Sequence, residues 1–304
     1  MQNDPRPLVG IKLRDIPAAP VAPGDLVGRT VAIDAPNLLY AFYAAQLLRA
    51  PVNPETRAAA LRAATRGLAH RIADLTRQGA RTLVVFDGPP HPLKAELLAA
   101  RDATRSVPPI GAQDYAAPRA AARALGVPTL EAPHDAEAQA AWMTAQGHAD
   151  LVATTDWDAL AMGAPTLLRN LSAHPEKKEG RAWSLVQAPA ALAHLNATAE
   201  ELRCAVILMG CDYFDGYPQL GPTRALSLAR QARGDLATAL RQLPAHEALH
   251  ARAHQAHALL AAPPHRNPGT LRWTEPDHDA LARALAGKPA ETPKREARQT
   301  RLDA

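Results

Sequence analysis

Residues 29–36 read Arg-Thr-Val-Ala-Ile-Asp-Ala-Pro, a short apolar run that ends in an aspartate and a proline. Gly28 precedes the run, and its β-branched residues favour a fully buried strand. A second stretch repeats the pattern, because Arg-Thr-Leu-Val-Val-Phe at residues 81–86 stops at Asp87 and a Gly-Pro-Pro turn. Two buried strands that each end in an aspartate predict a parallel sheet in an α/β protein.

Strand and helix patterns alternate outward from these two stretches over the first 190 residues. Further strands are predicted at Val127–Leu130, Asp150–Thr154, Pro165–Arg169 and Arg181–Val186. Helices are predicted at Leu38–Leu48, Arg57–Gln78, Leu93–Thr104, Pro118–Leu125 and Asp135–Gln146. We therefore predict a mostly parallel central sheet, followed after about residue 200 by a nearly all-helical region with one turn at Gly216–Pro222.

Length and composition exclude several classes of protein. The 304 residues allow one large or two modest domains, and the two cysteines, Cys204 and Cys211, are too few for a secreted disulfide scaffold. No apolar run approaches 18 residues, and the start of the chain lacks the order of a signal peptide. We expect a soluble, cytoplasmic protein without a membrane partner. The net charge of +4 is compatible with a polyanionic partner but equally with none.

Acidic residues recur where the predicted strands end. Six acids come from four segments: Asp34, Asp87, Asp135, Glu137, Asp156 and Asp158. In an open α/β sheet the carboxyl ends of the strands form one binding edge, so these acids should converge there. Clustered carboxylates repel one another unless divalent cations lie among them, and all-oxygen ligands favour Mg²⁺ or Mn²⁺. Taken singly, each aspartate can also be a turn former or a helix N-cap, Asp135 in particular.

Seven segments, taken together and in this order, resemble the flap endonuclease/XPG superfamily of structure-specific 5′ nucleases. They are residues 10–16, 31–42, 84–94, 126–141, 153–171, 208–226 and 271–277. The resemblance runs from Gly10 to about residue 285 and implies a PIN-like α/β nuclease core. We expect the core at residues 10–199 with a short arch at 93–125, a helix-hairpin-helix region at 200–286, and a polar tail at 287–304.

The resemblance also implies a set of metal ligands. It adds Asp212, which gives seven carboxylates: Asp34, Asp87, Asp135, Glu137, Asp156, Asp158 and Asp212. The implied cofactors are two Mg²⁺, with Mn²⁺ as an alternative, and two such ions can activate a water and stabilise a leaving oxygen. The family usually has Glu where Asp135 stands, so this side chain is one methylene shorter.

Several basic and aromatic residues match family positions that contact DNA. Lys94 and Arg101 match the pair at the scissile phosphate, and two helical turns separate them, although a solvated helix face is the alternative. Tyr40 matches a base-stacking tyrosine, with an ordinary buried aromatic as the alternative. Arg71 matches a basic residue near the duplex, and Gly10 a glycine near the active site.

Residues 216–225 resemble a helix-hairpin-helix, which directs backbone N–H groups at phosphates without reading bases. The residues of this motif that we expect to bind DNA are Gly216, Gly221, Thr223 and Arg224. Gln219 stands where the family has glycine, so close backbone approach is blocked or the backbone is strained. A structural helix connector is the alternative reading.

The chain departs from the family in three places. Residues 106–118 are too few for the two long helices of a flap endonuclease arch, so we expect an open entrance. Nine residues precede Gly10, and we expect translation to begin at Val9. Residues 299–304 lack the two aromatics of a sliding-clamp box, so we expect no clamp binding through them.

The sequence therefore predicts a monomeric, Mg²⁺-dependent nuclease that cleaves DNA at 5′ flaps or single-strand/double-strand junctions in replication or repair, associated with the nucleoid if the source is prokaryotic. If the protein is an enzyme, the alternative is a 5′–3′ exonuclease or an RNA-directed nuclease on the same scaffold. A catalytically silent protein that binds DNA junctions is the alternative from another class.

Overall fold

The centre of the protein is a seven-stranded sheet, seen in a computed structural model that describes residues 16–22, 24–49, 51–102, 107–173, 182–244 and 247–287. The strands are β1 (Ala19–Pro20), β2 (Thr30–Asp34), β3 (Arg81–Phe86), β4 (Thr129–Glu131), β5 (Leu151–Ala153), β6 (Thr166–Arg169) and β7 (Ser184–Gln187). Their order in the sheet is β1-β7-β6-β5-β2-β3-β4.

The five strands from β6 to β4 are parallel to their neighbours, whereas β7 and β1 add an antiparallel edge. The predicted mostly parallel sheet is thus confirmed. The two-residue strand β1 was not predicted, because it is too short to show a periodic pattern. The central position of β2, between β5 and β3, matters most for the site.

Twelve helices surround the sheet within the described ranges. They are α1 (Ala35–Leu47), α2 (Pro54–Arg77), α3 (Pro92–Asp102), α4 (Ala116–Ala124), α5 (Ala136–Ala145), α6 (Asp158–Ala161), α7 (Ala188–Leu195), α8 (Ala199–Met209), α9 (Pro222–Gln231), α10 (Leu236–Leu240), α11 (Glu247–Ala261) and α12 (His278–Leu285). A 3₁₀ helix at Ala112–Tyr115 precedes α4.

Local sequence explains where the first helices begin. The carboxylate of Asp34 accepts a bond from Asn37 N at the start of α1, and Pro36 lies in the first turn, where its missing N–H costs nothing. Asn53 and Thr56 form a capping box at the start of α2. Gly79, with φ +79°, follows the end of that helix.

The two faces of the sheet pack against two separate hydrophobic cores. In β2, Ala32 belongs to one core, while Val31 and Ile33 belong to the other. Both faces are covered, and the strand is buried along its whole length. This is why its sequence is continuously apolar instead of alternating.

The region after residue 200 is not as uniformly helical as its sequence indicated. Between α11 and α12 the chain is extended and returns to the sheet, where Trp273 Nε1 donates to Thr82 O at 2.7 Å and Thr274 N donates to Gly126 O at 3.0 Å. Pro263 and Pro264 prevent a helix there. Helix α12 then packs against α4 and α2. None of the helices in the described ranges is long and apolar enough to cross a membrane.

Candidate active site

Four of the predicted acids lie at the carboxyl ends of three adjacent parallel strands. Asp34 is the last residue of β2, and Asp87 directly follows β3. Asp156 and Asp158 follow β5, which pairs with β2 on its other side. Neighbouring parallel strands end at the same edge, so the four carboxylates occupy one rim of the sheet.

The other three acids reach this rim from helices. Asp135 and Glu137 lie at the start of α5, which follows β4, and Asp212 lies just beyond α8. Glu137 interacts electrostatically with four of the acids, in order of strength Asp156, Asp158, Asp34 and Asp212. Asp87 interacts with Asp135 and Asp212. The structure therefore brings all seven acids into one cluster, which we call the acid cluster.

Backbone N–H groups hold several of these carboxylates in place. Ala136 N donates to Asp87 Oδ1 at 2.8 Å, so an acid from β3 accepts at the start of α5. Asp135 is the N-cap residue of α5, yet its side chain accepts no bond from that helix. Ala159 N donates to Glu137 Oε1 at 3.0 Å. These contacts fix Asp87 and Glu137 by tertiary structure, whereas Asp34 caps its own helix α1.

Two residues that the sequence analysis did not single out join the ends of β2 and β5. Thr154 Oγ1 donates to Asp34 Oδ2 at 3.1 Å, and it accepts from Asp156 N at 3.1 Å. Asn37 Oδ1 accepts from the backbone N and the hydroxyl of Thr155, at 3.1 and 3.0 Å. The polar residues between the acids were visible in the sequence, but nothing there showed which strand they would meet.

Two tyrosines were also missed. Tyr213 Oη donates to Asp135 Oδ2 at 2.5 Å. Tyr115, at the end of the 3₁₀ helix, has its hydroxyl 3.5 Å from Asp87 Oδ2. Tyr213 directly follows Asp212, and a buried tyrosine usually finds a polar partner, so its position was a usable signal. Tyr115 lies outside the motifs and gave none.

Burial and mutual repulsion raise the pKa values of the acids. Burial raises the pKa of Asp34 to about 7, and the charge of Asp87 adds to the effect. Burial raises the pKa of Asp87 to about 6, although the charge of Lys94 opposes that shift. The pKa of Glu137 lies well above its usual value because of burial and the neighbouring Asp156. Added positive charge at this rim would relieve the repulsion.

Lys94 places an ammonium group in the acid cluster. Its Nζ lies 2.9 Å from Asp212 Oδ2 and forms an ion pair with Asp135. Burial works against the charged form, but Asp212, Asp135 and Asp87 outweigh it and hold the pKa of Lys94 well above its usual value. The lysine is therefore charged and partly neutralises the acids.

The donors of the cluster fit a divalent cation of the Mg²⁺ type. They are carboxylate oxygens, from the buried Asp34 and Asp135 and from five partly exposed acids, and hard divalent ions prefer such oxygens. Within the described part of the chain, no three acid, histidine or cysteine side chains stand close enough to hold one ion in this conformation. Several oxygens accept bonds from protein donors instead, and the Lys94 ammonium lies among them. The donor chemistry therefore fits, although the ligands are not in a closed arrangement.

The remaining residues singled out in the sequence lie in varied surroundings. Arg101 lies in α3, but its side chain is outside the described part of the structure, as is Gly10. Tyr40 is partly buried, with its ring centroid 6.4 Å from that of Tyr43. The guanidinium of Arg71 forms an ion pair with Asp74, and its side chain is only 12% exposed.

The predicted helix-hairpin-helix is a turn between α8 and α9. Gly216 has φ +79°, and a Cβ there would lie 2.3 Å from the backbone of Met209, so only glycine fits. A Cβ at Gly221 would meet no atom within 4 Å, so this backbone is open to a ligand. Gln219 has φ +58°, which confirms the strain expected of a side chain at a glycine position. Thr223 and Arg224 are exposed in the first turn of α9.

The short segment between α3 and α4 is fastened to the rest of the protein. Arg57, in α2, forms a 2.7 Å ion pair with Asp114. Gly111 N donates to the same carboxylate oxygen at 3.0 Å, and the adjacent Tyr115 reaches Asp87. The described residues of this segment contain the 3₁₀ helix and no helix pair.

Comparisons with protein families match two regions of the chain. Residues 12–107 match the XPG N-terminal domain, and residues 126–212 match the XPG I-region. The residues between the two matches, 108–125, include the short segment that carries Tyr115.

Curated relatives cover most of the chain. Flap endonuclease 1 of Methanothrix thermoacetophila is 32% identical over an alignment of 255 positions, and the match covers 73% of this chain and 75% of that protein. Flap endonuclease 1 of Pyrobaculum arsenaticum is 34% identical over an alignment of 240 positions, and the match covers 67% of this chain and 68% of that one.

Solved structures share the fold. Flap endonuclease-1 from Methanococcus jannaschii has a TM-score of 0.69 at 23% identity, covering 90% of each chain. The catalytic core of Rad2 in complex with DNA substrate has a TM-score of 0.66 at 20% identity, covering 90% of this chain and 92% of that one.

Proposed function

The chain belongs to the flap endonuclease/XPG superfamily, and on that premise we propose that it is a metal-dependent, structure-specific 5′ nuclease. Its substrate is DNA with a 5′ flap or a single-strand/double-strand junction, and the reaction is hydrolysis of a phosphodiester. The observation that carries the proposal is the acid cluster, in which carboxylates from three parallel strands and two helices surround one lysine.

We propose that two Mg²⁺ ions bind to this cluster. Seven acids form the ligand set: Asp34, Asp87, Asp135, Glu137, Asp156, Asp158 and Asp212. The family implies divalent metal ions, and the raised pKa values of the buried acids support binding of positive charge here. When bound, such ions supply Lewis acidity that lowers the pKa of a water and stabilises the leaving oxygen.

Lys94 is the proposed partner of the scissile phosphate. It is charged, it is only 17% exposed, and it lies beside Asp212 at the cluster. An ammonium group in such a water-poor position stabilises negative charge that develops on the phosphate more than it would in bulk solvent. We propose that Arg101, on the same helix, assists it.

DNA binding away from the cluster is assigned to the turn between α8 and α9. The open backbone at Gly221 and the exposed residues Thr223 and Arg224 support contacts with phosphates, which give affinity without base specificity. We propose that Tyr40 stacks on a base next to the cut. Gly10 and Arg71 are assigned to the DNA path by family position alone. We propose that the protein acts as a monomer and does not bind a sliding clamp.

The short arch favours an open entrance over a closed gateway. Only 13 residues, 103–115, separate α3 from α4, too few for a helix pair that could enclose a single strand. We propose that the 5′ strand enters from the side. A flap whose 5′ end carries biotin bound to streptavidin should therefore still be cleaved, whereas loss of cleavage with the blocked flap would support threading.

The test of the function is cleavage of a 5′-labelled flap duplex in Mg²⁺ by the protein and by two matched variants. Asp87→Asn should abolish cleavage while duplex binding persists. Asp279→Asn, an exposed acid on α12, should cleave like the parent. Binding without cleavage by the parent would favour a silent junction-binding protein, and equal cleavage by Asp87→Asn would refute the site.

Nicked, blunt 5′-recessed and RNA-primed duplexes, run beside the flap, test the remaining alternatives. Faster removal of nucleotides from a recessed 5′ end would indicate a 5′–3′ exonuclease. Preference for the RNA-primed strand would indicate an RNA-directed enzyme. The proposal expects the flap to be cleaved fastest.

A further inference from the structure

A cavity of about 340 Å³ lies beside β4, the strand at one end of the sheet. Its walls are residues 126–130 on one side and, on the other, the extended chain between α11 and α12, which we call the return segment (residues 262–277). None of the residues of the acid cluster lines it. Thr129 on its wall pairs with Val84, three residues before Asp87, so about 10 Å of strand separates this wall from the acid cluster.

The return segment is fixed to the rest of the protein on both sides of the cavity. On one side, Arg266 N donates to Gln139 Oε1 at 2.6 Å. On the other side, Thr274 N donates to Gly126 O at 3.0 Å, and a Cβ at Gly126 would lie 1.9 Å from Thr274 O, so only glycine allows this approach. The cavity is therefore already formed in the folded protein, and a ligand would not have to order its walls.

The polar side chains that line the cavity carry hydrogen-bond donors, and no acid is among them. They are the guanidinium groups of Arg123 and Arg272 and the hydroxyls of Thr129, Thr270 and Thr274. Both arginines are exposed, and neither forms an ion pair with a described residue. Arg123 Nε donates to Thr129 Oγ1 at 3.0 Å. Two unpaired guanidinium groups without a carboxylate beside them fit an anion, and their planar geometry matches phosphate oxygens.

The backbone of β4 adds a further donor on the same side. Pro128 O accepts from Val84 N, and Ala132 N donates to Phe86 O, so the even-numbered residues of this stretch face β3. The N–H of Thr129, which lies between them, faces the open edge of the sheet. An edge strand leaves such groups available to a partner, and backbone N–H groups are common donors to phosphates.

Helix α4 leads from the acid cluster to the cavity. It begins directly after Tyr115, whose hydroxyl lies 3.5 Å from Asp87 Oδ2. On the next turn, Arg119 forms a 2.9 Å ion pair with Glu131. Arg123 follows one turn later on the same face, because residues four apart are neighbours on a helix. A strand that leaves the acid cluster along α4 therefore meets its first unpaired guanidinium at Arg123, in the wall of the cavity.

We propose that this cavity binds a backbone phosphate of the 5′ single strand of the substrate, which reaches it along α4. The proposal rests on the proposed function and on its open entrance. A single strand held at the acid cluster is already within reach of α4, whereas an acidic protein segment would have to be supplied by a partner. Contacts to phosphate carry no base preference, so a long flap should bind more tightly than a short one whatever its sequence.

The first test measures binding in EDTA, so that no cleavage occurs, to duplexes whose 5′ flap has about 16 nucleotides or only a few. The parent should bind the long flap about fivefold more tightly, as expected from two exposed charge contacts. Arg123→Ala/Arg272→Ala should bind both flaps alike. For the long flap, its slope of log K against log salt concentration should be shallower by about 1.4, the value for two phosphates of a single strand. A long-flap preference that survives in the double variant, or that the parent lacks, would overturn the proposal.

Arg241→Ala is the matched control for the loss of positive charge. Arg241 is exposed at the end of α10 and does not line the cavity. This variant should keep the parent's ratio of the two dissociation constants. A ratio that falls as much as in the double variant would show that overall charge sets the preference, and would overturn the assignment to the cavity.

The second test locates the strand by chemical coupling. Thr270→Cys places a thiol in the wall of the cavity, and the two natural cysteines, Cys204 and Cys211, are buried. Flaps that carry a thiol-reactive group at a single phosphate, moved along the strand one nucleotide at a time, should couple at one short stretch. Arg241→Cys should show no such preferred position. Absence of a preferred position at Thr270→Cys would overturn the path along α4.

Competition in the coupling reaction decides between nucleic acid and an acidic peptide. A free single-stranded oligonucleotide should slow the coupling of the long flap to Thr270→Cys, whereas an oligoglutamate of equal charge should not. An equal effect of both would overturn the proposal in favour of a peptide site. The function itself is judged separately: cleavage of the short flap by the parent, and its loss in Asp87→Asn, would uphold the nuclease whatever the long flap does.

Discussion

Replacing Asp34 by asparagine should stabilise the metal-free protein, and more so at high pH. Asp34 is 5% exposed, and burial together with the charge of Asp87 raises its pKa from 3.8 to about 7. The folded state therefore holds a proton that the unfolded chain releases. Between pH 4 and 7 the folded state binds more protons, so its free energy of unfolding falls as the pH rises through this window.

The size of the effect follows from the pKa. Each pH unit between the two values is worth about 1.4 kcal/mol, so an Asp34 pKa of about 7 corresponds to roughly 4 kcal/mol of lost stability above pH 8. About 2 to 3 kcal/mol of this loss falls between pH 5 and 8. The asparagine side chain of Asp34→Asn would keep the partners Asn37 and Thr154 without the charge, so the variant should escape the loss.

The assay is urea unfolding of the parent and of Asp34→Asn at pH 5 and pH 8, with EDTA and with Mg²⁺. In EDTA the advantage of the variant should grow by about 2 to 3 kcal/mol from pH 5 to pH 8. In Mg²⁺ the advantage of the variant at pH 8 should shrink, because a ligand that binds only the folded parent stabilises it by about 2.7 kcal/mol at one hundred times its Kd. A difference between the two proteins that is independent of pH in EDTA would refute the reasoning.

Three further changes should alter stability for reasons that the structure shows. Gln219→Gly should raise the free energy of unfolding by about 0.5 to 1 kcal/mol in urea, because it relieves a left-handed backbone, and duplex affinity should not fall. Arg57→Ala should lower the free energy of unfolding by about 1 to 2 kcal/mol in the same assay, because it leaves the buried carboxylate of Asp114 without its ion pair. As a control, Arg62→Ala on the exposed face of α2 should change it by less than about 0.5 kcal/mol. Burial and the charge of Arg203 lower the pKa of His257, so the stability of the folded protein should fall as the pH drops below about 6.5. In thermal melts from pH 7 to pH 5, His257→Gln should make that fall smaller.

The strands and the rim acids could be predicted because their signals are local. The run at residues 81–86 is apolar, β-branched and ended by Asp87, and the structure has β3 at the same residues. Parallel neighbours then bring Asp34, Asp87 and Asp156 to one edge by geometry alone. No knowledge of side-chain contacts is required for that step.

The contacts within the cluster could not be predicted in the same way. The pairing of Tyr213 with Asp135 joins residues 78 apart in sequence, and that of Thr154 with Asp34 joins residues 120 apart. Such pairs depend on the order of strands and the rotation of helices. The extended chain around Trp273 was missed for a related reason, because its position is set by bonds to Thr82 and Gly126 and not by its own periodicity.

The acid cluster brings like charges together, and Gln219 places a side chain on a left-handed backbone, so both features cost stability. Only the acid cluster has a ligand that would offset its cost. The raised pKa of Asp34 lowers the stability of the folded protein when no metal is bound, and a divalent cation would offset that loss, as expected where a site has been built for a ligand. Gln219 holds a left-handed backbone with an exposed side chain, and its side chain makes no hydrogen bond or ion pair with the described residues that would offset the strain. If Gln219→Gly gains stability and loses no affinity for duplex DNA, its strain serves neither folding nor binding. If it gains stability but loses affinity, the glutamine side chain is part of the DNA interface. The free energy of unfolding and the duplex affinity of this one variant therefore show whether the strain at Gln219 contributes to DNA binding or to neither folding nor binding.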